Sequence, residues 1–249
     1  MLGVVVESRR RRAIVILKNF RCRWGKCVFC PFHLESGTEV SDVLETNAKI
    51  LELLEKAVHS FDIEWISIFN GGSFFELPLD VVLRLARFTR NRVVDIETRP
   101  EYISTESILA LLHILQPRIL RVRIGFEVWD EKIRNGVLRK GIPQSEVYRV
   151  AEVRRQLRYV LGDSVRFLVY VLFGIEGVDE EEVKCSVIRF SELFDGVIAV
   201  KYRKVLPHHP REVSVSSDLL SFLRERCMDV DVDEDREWSF GNGIKYVVY

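Results

Sequence analysis

Residues 13–30 read Ala13-Ile-Val-Ile-Leu-Lys-Asn-Phe-Arg-Cys22-Arg-Trp-Gly-Lys-Cys27-Val-Phe-Cys30. The segment begins with a short apolar run rich in Val and Ile, which predicts a buried β-strand. Three cysteines follow that strand within nine residues, while the two others in the chain stand alone. An odd total of five cysteines argues against a disulfide framework. Clustered thiols outside such a framework are typical of metal binding.

The rest of the chain repeats one unit, a short apolar run followed by an amphipathic helix. Six apolar runs predict strands, at residues 13–18, 64–70, 92–97, 119–124, 165–173 and 196–202. Because most of these runs are apolar throughout, they are typical of parallel strands that helices cover. Six βα units in succession predict an α/β fold whose sheet is open or curled into a partial barrel.

Composition sets the domain organisation and excludes several classes of protein. With 249 residues, 47% of them hydrophobic, the chain can bury a sizeable core, and its 37 basic residues balance its 37 acidic ones. We expect a core domain of residues 1–205 and a packed C-terminal extension, helix plus strand, of residues 206–249. No run is apolar over the length of a membrane helix, so we expect a soluble, cytoplasmic protein without membrane partners. Arginine outnumbers lysine 27 to 10 and glutamine is scarce, which favours a thermophilic source.

The cysteine segment allows three interpretations. Three thiolates without a fourth cysteine nearby fit a [4Fe–4S] cluster with one iron open to another ligand. Tetrahedral zinc on Cys22, Cys27, Cys30 and His33 is the second interpretation, and three buried structural thiols are the third. For a metal site, we expect the three sulfurs to converge at the carboxyl end of the first predicted strand, where parallel sheets bind ligands.

The cysteine segment resembles the cluster loop of the radical S-adenosylmethionine (SAM) superfamily, in which an aromatic residue commonly precedes the last cysteine, as Phe29 does here. The usual spacing is CxxxCxxC, whereas this chain has four residues between Cys22 and Cys27. Asn70-Gly-Gly-Ser-Phe74, after the second predicted strand, is similar to the superfamily's Gly-Gly motif. Leu172-Phe-Gly-Ile-Glu-Gly177 is similar to its glycine motif. Residues 95–102, 121–127, 129–134 and 138–141 resemble the Elongator-subunit-3-like group, and within it the archaeosine-synthesis enzymes.

The resemblance implies a (β/α)6 partial barrel of radical SAM type and a set of cofactor residues. Cys22, Cys27 and Cys30 would hold the [4Fe–4S] cluster, and SAM would ligate its fourth iron. The residues implied for SAM binding are Phe29, Gly71, Gly72, Ser73, Glu97, Arg99, Glu127 and Gly174. Arg99 suits a carboxylate because its planar guanidinium can bind both oxygens. The alternative is that Arg99 only forms an ion pair with Glu97 or Glu101.

In that superfamily the reduced cluster splits SAM into methionine and a 5′-deoxyadenosyl radical, which abstracts hydrogen from the substrate. The closer resemblance implies cleavage of a C–N bond in a lysine-modified deazaguanine of tRNA. It also implies an electron donor of the ferredoxin or flavodoxin type and a partner protein that helps to present the RNA. A radical SAM reaction on another substrate, or a non-enzymatic iron–sulfur or zinc protein, remains the alternative.

Strand alternation predicts where the substrate lies. Arg121 and Arg123 alternate with apolar residues, as do Asp95 and Glu97 on the strand before. We expect the apolar faces to meet the helices and the charged faces to line a lumen. Arg121, Arg123 and Lys201 would then bind an anionic group of the substrate, unless Asp95 and Glu97 engage the arginines as internal braces.

The remaining candidates are weaker. The basic run at residues 9–12 predicts a solvated arm, with RNA phosphate contact as the alternative. His208 and His209, flanked by prolines, predict an exposed loop, with metal ligation as the alternative. Cys185 and Cys227 lack partners at ligand spacing and are expected to be small core residues.

Overall fold

A single sheet of nine strands organises residues 2–232 and 243–249, which are the residues that the computed structural model describes. Its strands are β1 (Leu2–Glu7), β2 (Arg12–Ile16), β3 (Trp65–Phe69), β4 (Val93–Thr98), β5 (Ile119–Glu127), β6 (Val165–Phe173), β7 (Gly196–Lys201), β8 (Asp229–Asp231) and β9 (Ile244–Val248). They lie in the order β8-β7-β6-β5-β4-β3-β2-β1-β9. Strands β2 to β8 are parallel and follow one another in chain order, as the repeated βα units predict.

Within the described residues, six α-helices connect or follow these strands. They are α1 (Val40–Ser60), α2 (Leu79–Thr89), α3 (Thr105–Leu115), α4 (Gln144–Leu161), α5 (Glu180–Leu193) and α6 (Ser217–Arg226). Their first turns show the local chemistry that starts helices. The side chain of Asp179 accepts a hydrogen bond from the Glu182 N–H at 2.8 Å, and Pro78 and Pro143 directly precede α2 and α4. Among the described residues, no helix is both long and apolar enough to cross a membrane.

The helices cover one face of the sheet. The side chains of Ile66, Ile68, Val94, Val122 and Phe167 are buried with the apolar helix residues in one continuous core. Alternate residues of the same strands lie on the opposite face, which we call the inner face. The helices lie on one side of a parallel sheet whose strands follow chain order, so the predicted α/β class is confirmed.

The first strand is missing from the prediction. β1 forms an antiparallel hairpin with β2, and its residues Val4 and Val6 join the core. A hairpin needs a tight turn instead of a helical crossover, so β1 lies outside the βα repeat on which the prediction depends. Arg12, predicted in a solvated arm, is a buried residue of β2, and Arg11 pairs with Asp62 and with Glu64 (2.9 Å).

The C-terminal residues contribute to both edges of the sheet. The acidic composition of residues 229–235 predicts a loop, but the segment begins as β8, which pairs with β7. Residues 233–235 lie outside the described residues. The predicted last strand is β9, which pairs in parallel with β1 at the other edge. The boundary between residues 205 and 206 stays a prediction, with strands from both of its sides in one sheet.

Asn47 of α1 anchors the segment that follows β2. Its side chain is fully buried, accepts a hydrogen bond from the Lys18 N–H at 2.9 Å and donates one to the Lys18 carbonyl at 2.8 Å. The Gly37 N–H donates to the Asn19 carbonyl at 2.9 Å, which brings the two ends of the cysteine segment together. The intervening residues therefore leave and return to the sheet at one fixed point.

We expect Asn47→Ala to lower the free energy of unfolding by about 2 kcal/mol, because it leaves two buried backbone groups without partners. Chemical denaturation measures the change. Lys49→Ala, an exposed substitution on the same helix, is the control and should shift stability by less than about 0.5 kcal/mol. Equal stability of the two variants would contradict the anchoring role.

Candidate functional site

The segment between β2 and α1, residues 17–39, is the cysteine loop, and it docks on residues 138–141. The Trp24 indole N–H donates to the Arg139 carbonyl at 2.7 Å, and the Val28 N–H donates to the Leu138 carbonyl at 3.3 Å. Gly141 has φ +65°, and a side-chain carbon there would overlap the Trp24 ring. This close approach requires glycine at position 141.

Glu76 joins the cysteine loop to two other loops at the carboxyl edge of the sheet. Its Oε1 accepts hydrogen bonds from the Arg23 N–H at 3.1 Å and from the Tyr102 hydroxyl at 2.8 Å. Its Oε2 accepts one from the Ser73 N–H at 3.1 Å. One carboxylate therefore fixes the loops that follow β2, β3 and β4 relative to one another.

The Gly71–Gly72 turn lies directly against the cysteine loop. A Cβ at Gly71, whose φ is +67°, would lie 2.8 Å from the Cβ of Phe32, and one at Gly72 would lie 3.6 Å from the Cβ of Cys22. The two predicted SAM motifs are thus neighbours. Ser73, also predicted to bind SAM, is fully buried, and its hydroxyl forms a 2.7 Å hydrogen bond with the Thr98 hydroxyl.

A buried ion pair lies beside the cysteine loop. Lys140 Nζ donates to Glu127 Oε1 at 2.6 Å, and the two side chains are 11% and 8% exposed. Lys140 Nζ also lies 5.4 Å from the centre of the Phe29 ring. Glu127 has φ +71°, next to a register shift between β5 and β6, so strained backbone aims this carboxylate.

Arg99 is engaged by protein groups on three sides. Its Nε donates to Glu101 Oε1 at 2.5 Å, and its Nη1 donates to the Lys140 carbonyl at 3.2 Å. Its guanidinium lies 5.3 Å from the centre of the Trp24 ring. The alternative ion pair with Glu101 is therefore present, and it fixes Arg99 against the cysteine loop.

Burial and nearby charge act in opposite directions on the thiols. Burial raises the pKa of the Cys27 thiol, while the charges of Lys140 and Arg99 lower it. Burial also raises the pKa of Cys30 to about 11, with smaller contributions from Cys27 and Cys22. The Lys140 charge lowers the pKa of Cys30 as well, so one lysine favours the thiolate form at two cysteines.

The predicted convergence of the three sulfurs is not reached. In residues 2–232 and 243–249, no three Cys, His, Asp or Glu side chains are grouped closely enough to hold a metal ion. Ligation requires deprotonated thiols, whereas burial favours the neutral form at Cys27 and Cys30. The donor set still fits a metal cluster, since three thiols share one loop beside two cationic side chains. Buried amide atoms of Asn19 and Asn70 without hydrogen-bond partners lie next to the same loops.

Toward the amino ends of the strands, the inner face holds a charge network centred on Asp95. Asp95 is fully buried and pairs with Arg123 and, at 3.1 Å, with Arg121, while Ser67 and Trp65 donate to its Oδ2 at 2.6 and 2.8 Å. The predicted internal bracing by Asp95 is therefore confirmed. Glu97 instead accepts a 2.7 Å hydrogen bond from the Tyr170 hydroxyl.

Lys201 lies on the wrong face for the predicted lumen site. Its register partner on β6 is Phe173, which is buried in the helix-covered core, so Lys201 is on the face opposite Arg121 and Arg123. β7 carries apolar residues on both faces, so alternation could not decide its orientation. Glu7 and Arg12 form a further ion pair, at 3.4 Å.

Other predicted residues have different surroundings from those expected. A Cβ at Gly174, whose φ is +77°, would lie 3.3 Å from a Val215 methyl, because residues 211–215 run over this turn. His208 is exposed as predicted, but His209 is buried, and burial lowers its pKa. Cys227 packs against the core as predicted, and Cys185 is half-buried on α5.

Several site residues carried no role in the prediction. Trp65, on an apolar segment that predicts core packing, lies on the inner face with the Arg12 and Arg121 guanidiniums 4.2 and 4.6 Å from its ring centre. No sequence pattern marks Glu76 as a site residue. Tyr170 is marked only by its alternation with apolar residues on a predicted strand. Lys140 lies in the motif at residues 138–141, but the sequence does not predict its buried ion pair with Glu127.

Solved structures identify the fold. The chain matches queuine lyase from Clostridium spiroforme bound to SAM and queuine, with a TM-score of 0.66 and 22% identity over 98% of this chain and 94% of that one. It also matches methylornithine synthase, with a TM-score of 0.56 and 12% identity over 88% of this chain and 65% of that one. The protein therefore has the partial-barrel fold of radical SAM enzymes.

Among curated proteins, the chain is similar to archaeosine synthase subunit beta of Methanosarcina acetivorans, with 29% identity over 183 residues. That alignment covers 70% of this chain and 52% of the relative. An uncharacterised protein of Methanocaldococcus jannaschii is 24% identical over 175 residues, covering 65% and 47%. The chain thus spans about half the length of these relatives, and no protein-family model matches it. The predicted resemblance to the archaeosine-synthesis enzymes is confirmed by the first of these relatives.

We expect Lys140→Met to destabilise the protein by about 3 kcal/mol, because it leaves the Glu127 carboxylate buried without its counter-charge. Adding Glu127→Gln should recover part of that loss, and chemical denaturation of the single and double variants measures both. Lys184→Met, which removes a lysine paired with an exposed glutamate, should cost less than about 1 kcal/mol. A cost for Lys140→Met no larger than this control would contradict the role of the buried pair.

We also expect Lys140→Met to raise the pKa of Cys27, since the lysine charge lowers it. In metal-free protein whose other cysteines are changed to Ser, iodoacetamide should then modify Cys27 roughly threefold to tenfold more slowly below that pKa. The difference should shrink as pH rises above the pKa in both proteins. Lys184→Met should leave the rate unchanged, and equal rates in all three proteins would refute the coupling.

Proposed function

We propose that the protein is a radical SAM enzyme with a [4Fe–4S] cluster on Cys22, Cys27 and Cys30. The observation that carries this proposal is the docking of the cysteine loop against the Gly71–Gly72 turn, with Glu76 bonded to both. Cysteine and glycine motifs distant in sequence thus meet at one edge of a sheet of the matching fold. The Lys140–Glu127 pair adds a partly desolvated charge where a charged cofactor would lie.

The chain's own residues would hold SAM in the following way. The bound cluster would supply the electron that cleaves SAM. The Gly71–Gly72 backbone offers polar groups at close approach because no side chain intervenes. Phe29 offers an aromatic face, and Arg99 and Glu127 offer a fixed cation and a fixed carboxylate, with Gly174 a further candidate. The buried surroundings exclude water from these groups and strengthen their electrostatic interactions.

For the substrate, we propose a modified deazaguanine base, cleaved at a C–N bond, with tRNA as its carrier. Support comes from the names of two similar proteins, an archaeosine synthase subunit and a queuine lyase, since archaeosine and queuine are both deazaguanine compounds. Arg121 and Arg123, held by Asp95, would form the wall of this site nearest the amino ends of the strands. We further propose an electron donor of the ferredoxin or flavodoxin type and a partner protein, in keeping with a relative named as a subunit.

We expect anaerobic reconstitution with iron and sulfide to give a brown protein that, with SAM and a reductant, yields 5′-deoxyadenosine and methionine. Replacing Cys22, Cys27 or Cys30 with Ala should abolish the cluster absorbance and the 5′-deoxyadenosine, because each removes one of only three thiolate ligands. Absorbance spectra and product chromatography measure the two outcomes. Cys185→Ala and Cys227→Ala are the matched controls and should retain both signals.

Two results would overturn the proposal. One is a colourless protein that keeps one zinc ion per chain after reconstitution, which is the outcome for a zinc protein on the same thiols. The other is a brown protein that never cleaves SAM, which is the outcome for an electron carrier.

A further inference from the structure

We propose that Glu97, with Tyr170 and Phe69, recognises the base of the substrate by its N–H edge, and that Glu97 is not a SAM ligand. The ligand class is a planar heteroaromatic base with two adjacent N–H donors, as on the pairing edge of guanine and deazaguanine. The inference rests on the proposed function and names the residues that would select its substrate.

These three side chains form an accessible wall above the buried charge network. Phe69 ends β3, Glu97 lies on β4 and Tyr170 on β6, and all three are half-buried. Asp95, by contrast, is fully buried, and Arg123 is 5% exposed. On the inner face, a ligand therefore meets Phe69, Glu97 and Tyr170 before it meets Asp95 and Arg123.

The polar groups of this wall are arranged to accept N–H donors. The Tyr170 hydroxyl donates to Glu97 Oε1 at 2.7 Å, and no other hydrogen bond to this carboxylate is found among the described residues. Glu97 Oε2 thus remains as an acceptor on the accessible side. A carboxylate can accept two parallel N–H bonds, and each is strengthened when the charged acceptor is partly desolvated.

The cations near Glu97 are paired with other carboxylates. Burial raises the pKa of Glu97, and the Tyr170 hydrogen bond and the charges of Arg123 and Lys140 offset only part of that rise. Arg123 is bonded to Asp95 and Lys140 to Glu127, so neither cation is directed at Glu97 alone.

Position separates Glu97 from the cysteine loop. Glu97 pairs in register with Arg123, whereas Glu127 lies farther along the same strand, β5, at the carboxyl edge of the sheet where the cysteine loop docks. A cofactor bound at the thiols would meet Glu127 first and Glu97 beyond it. Glu97 is thus placed to contact the molecule on the far side of the cofactor, which is the substrate.

Phe69 supplies the apolar surface that a flat base requires. Its half-exposed ring lies on the strand next to Glu97, and Arg123 lies 5.4 Å from its centre. Any base can stack on such a ring, whereas the carboxylate forms hydrogen bonds only with bases that present N–H donors on the facing edge. Selectivity between bases would therefore reside in Glu97.

The test compares two free bases, 7-deazaguanine and 7-deazahypoxanthine, which differ in the exocyclic amino group. Their dissociation constants are measured by anaerobic calorimetry on the reconstituted enzyme with SAM bound. We expect the wild type to bind 7-deazaguanine about tenfold more tightly, because the second base lacks one donor to a charged acceptor. Glu97→Gln should bring the two affinities within about twofold of each other and leave the affinity for SAM within about twofold of the wild type.

Two further variants keep the inference falsifiable. Tyr170→Phe, which removes the hydroxyl that orients Glu97, should weaken the preference partially. Glu106→Gln, which alters an exposed carboxylate at the start of α3, should change nothing. If Glu97→Gln weakens SAM binding as strongly as base binding, Glu97 is a SAM ligand and the inference is overturned. If Glu97→Gln keeps the preference for 7-deazaguanine, the inference is overturned as well.

Failure of this inference can be told apart from failure of the proposed function. Reductive SAM cleavage is measured on the same wild-type preparation without any base. If 5′-deoxyadenosine forms but neither base binds, the inference alone is refuted. If no 5′-deoxyadenosine forms, the proposed function is refuted whatever the bases do.

Discussion

The structure depends on an asymmetry of its sheet, in which helices cover one face and polar groups must satisfy one another on the other. The helix-covered face follows ordinary apolar packing, with Val, Ile, Leu and Phe from every central strand in one core. The inner face holds Arg12, Asp95 and Arg123 with little access to water. Buried charges are tolerated only when paired, so Asp95 and Glu7 are structural requirements of this face.

Much of the fold could be predicted because the βα repeat is local in sequence. Pro78, Pro143 and Asp179 mark helix starts, and the six apolar runs correspond to β2 to β7. Prediction failed where pairing is non-local: β1 pairs through a hairpin, and β9 joins it from the far end of the chain. Alternation also failed on β7, whose two apolar faces gave Lys201 no defined side.

The candidate site was predictable in its motifs but not in their connections. The cysteines and the Gly71–Gly72 pair could be found because their residue types and spacing are unusual. Glu76, Trp24 and Tyr102 could not, since a single glutamate or aromatic residue says nothing about which distant backbone it contacts. Their hydrogen bonds fix the loops after β2, β3, β4 and β5 as one unit. The resemblance to known proteins names the cofactor, and these contacts show how the chain brings its parts together.

The sharing of Asp95 among several arginines also bears on how such a face can change over evolutionary time. A substitution at Asp95 would leave both Arg121 and Arg123 without their counter-charge. This charge network can therefore change only when several of its residues are replaced together. Glu97, by contrast, touches the network through one hydrogen bond from Tyr170. A lineage could therefore exchange the residue at position 97 in a single step and keep the scaffold intact. The inner face thus combines a slowly changing foundation with one readily varied position above it.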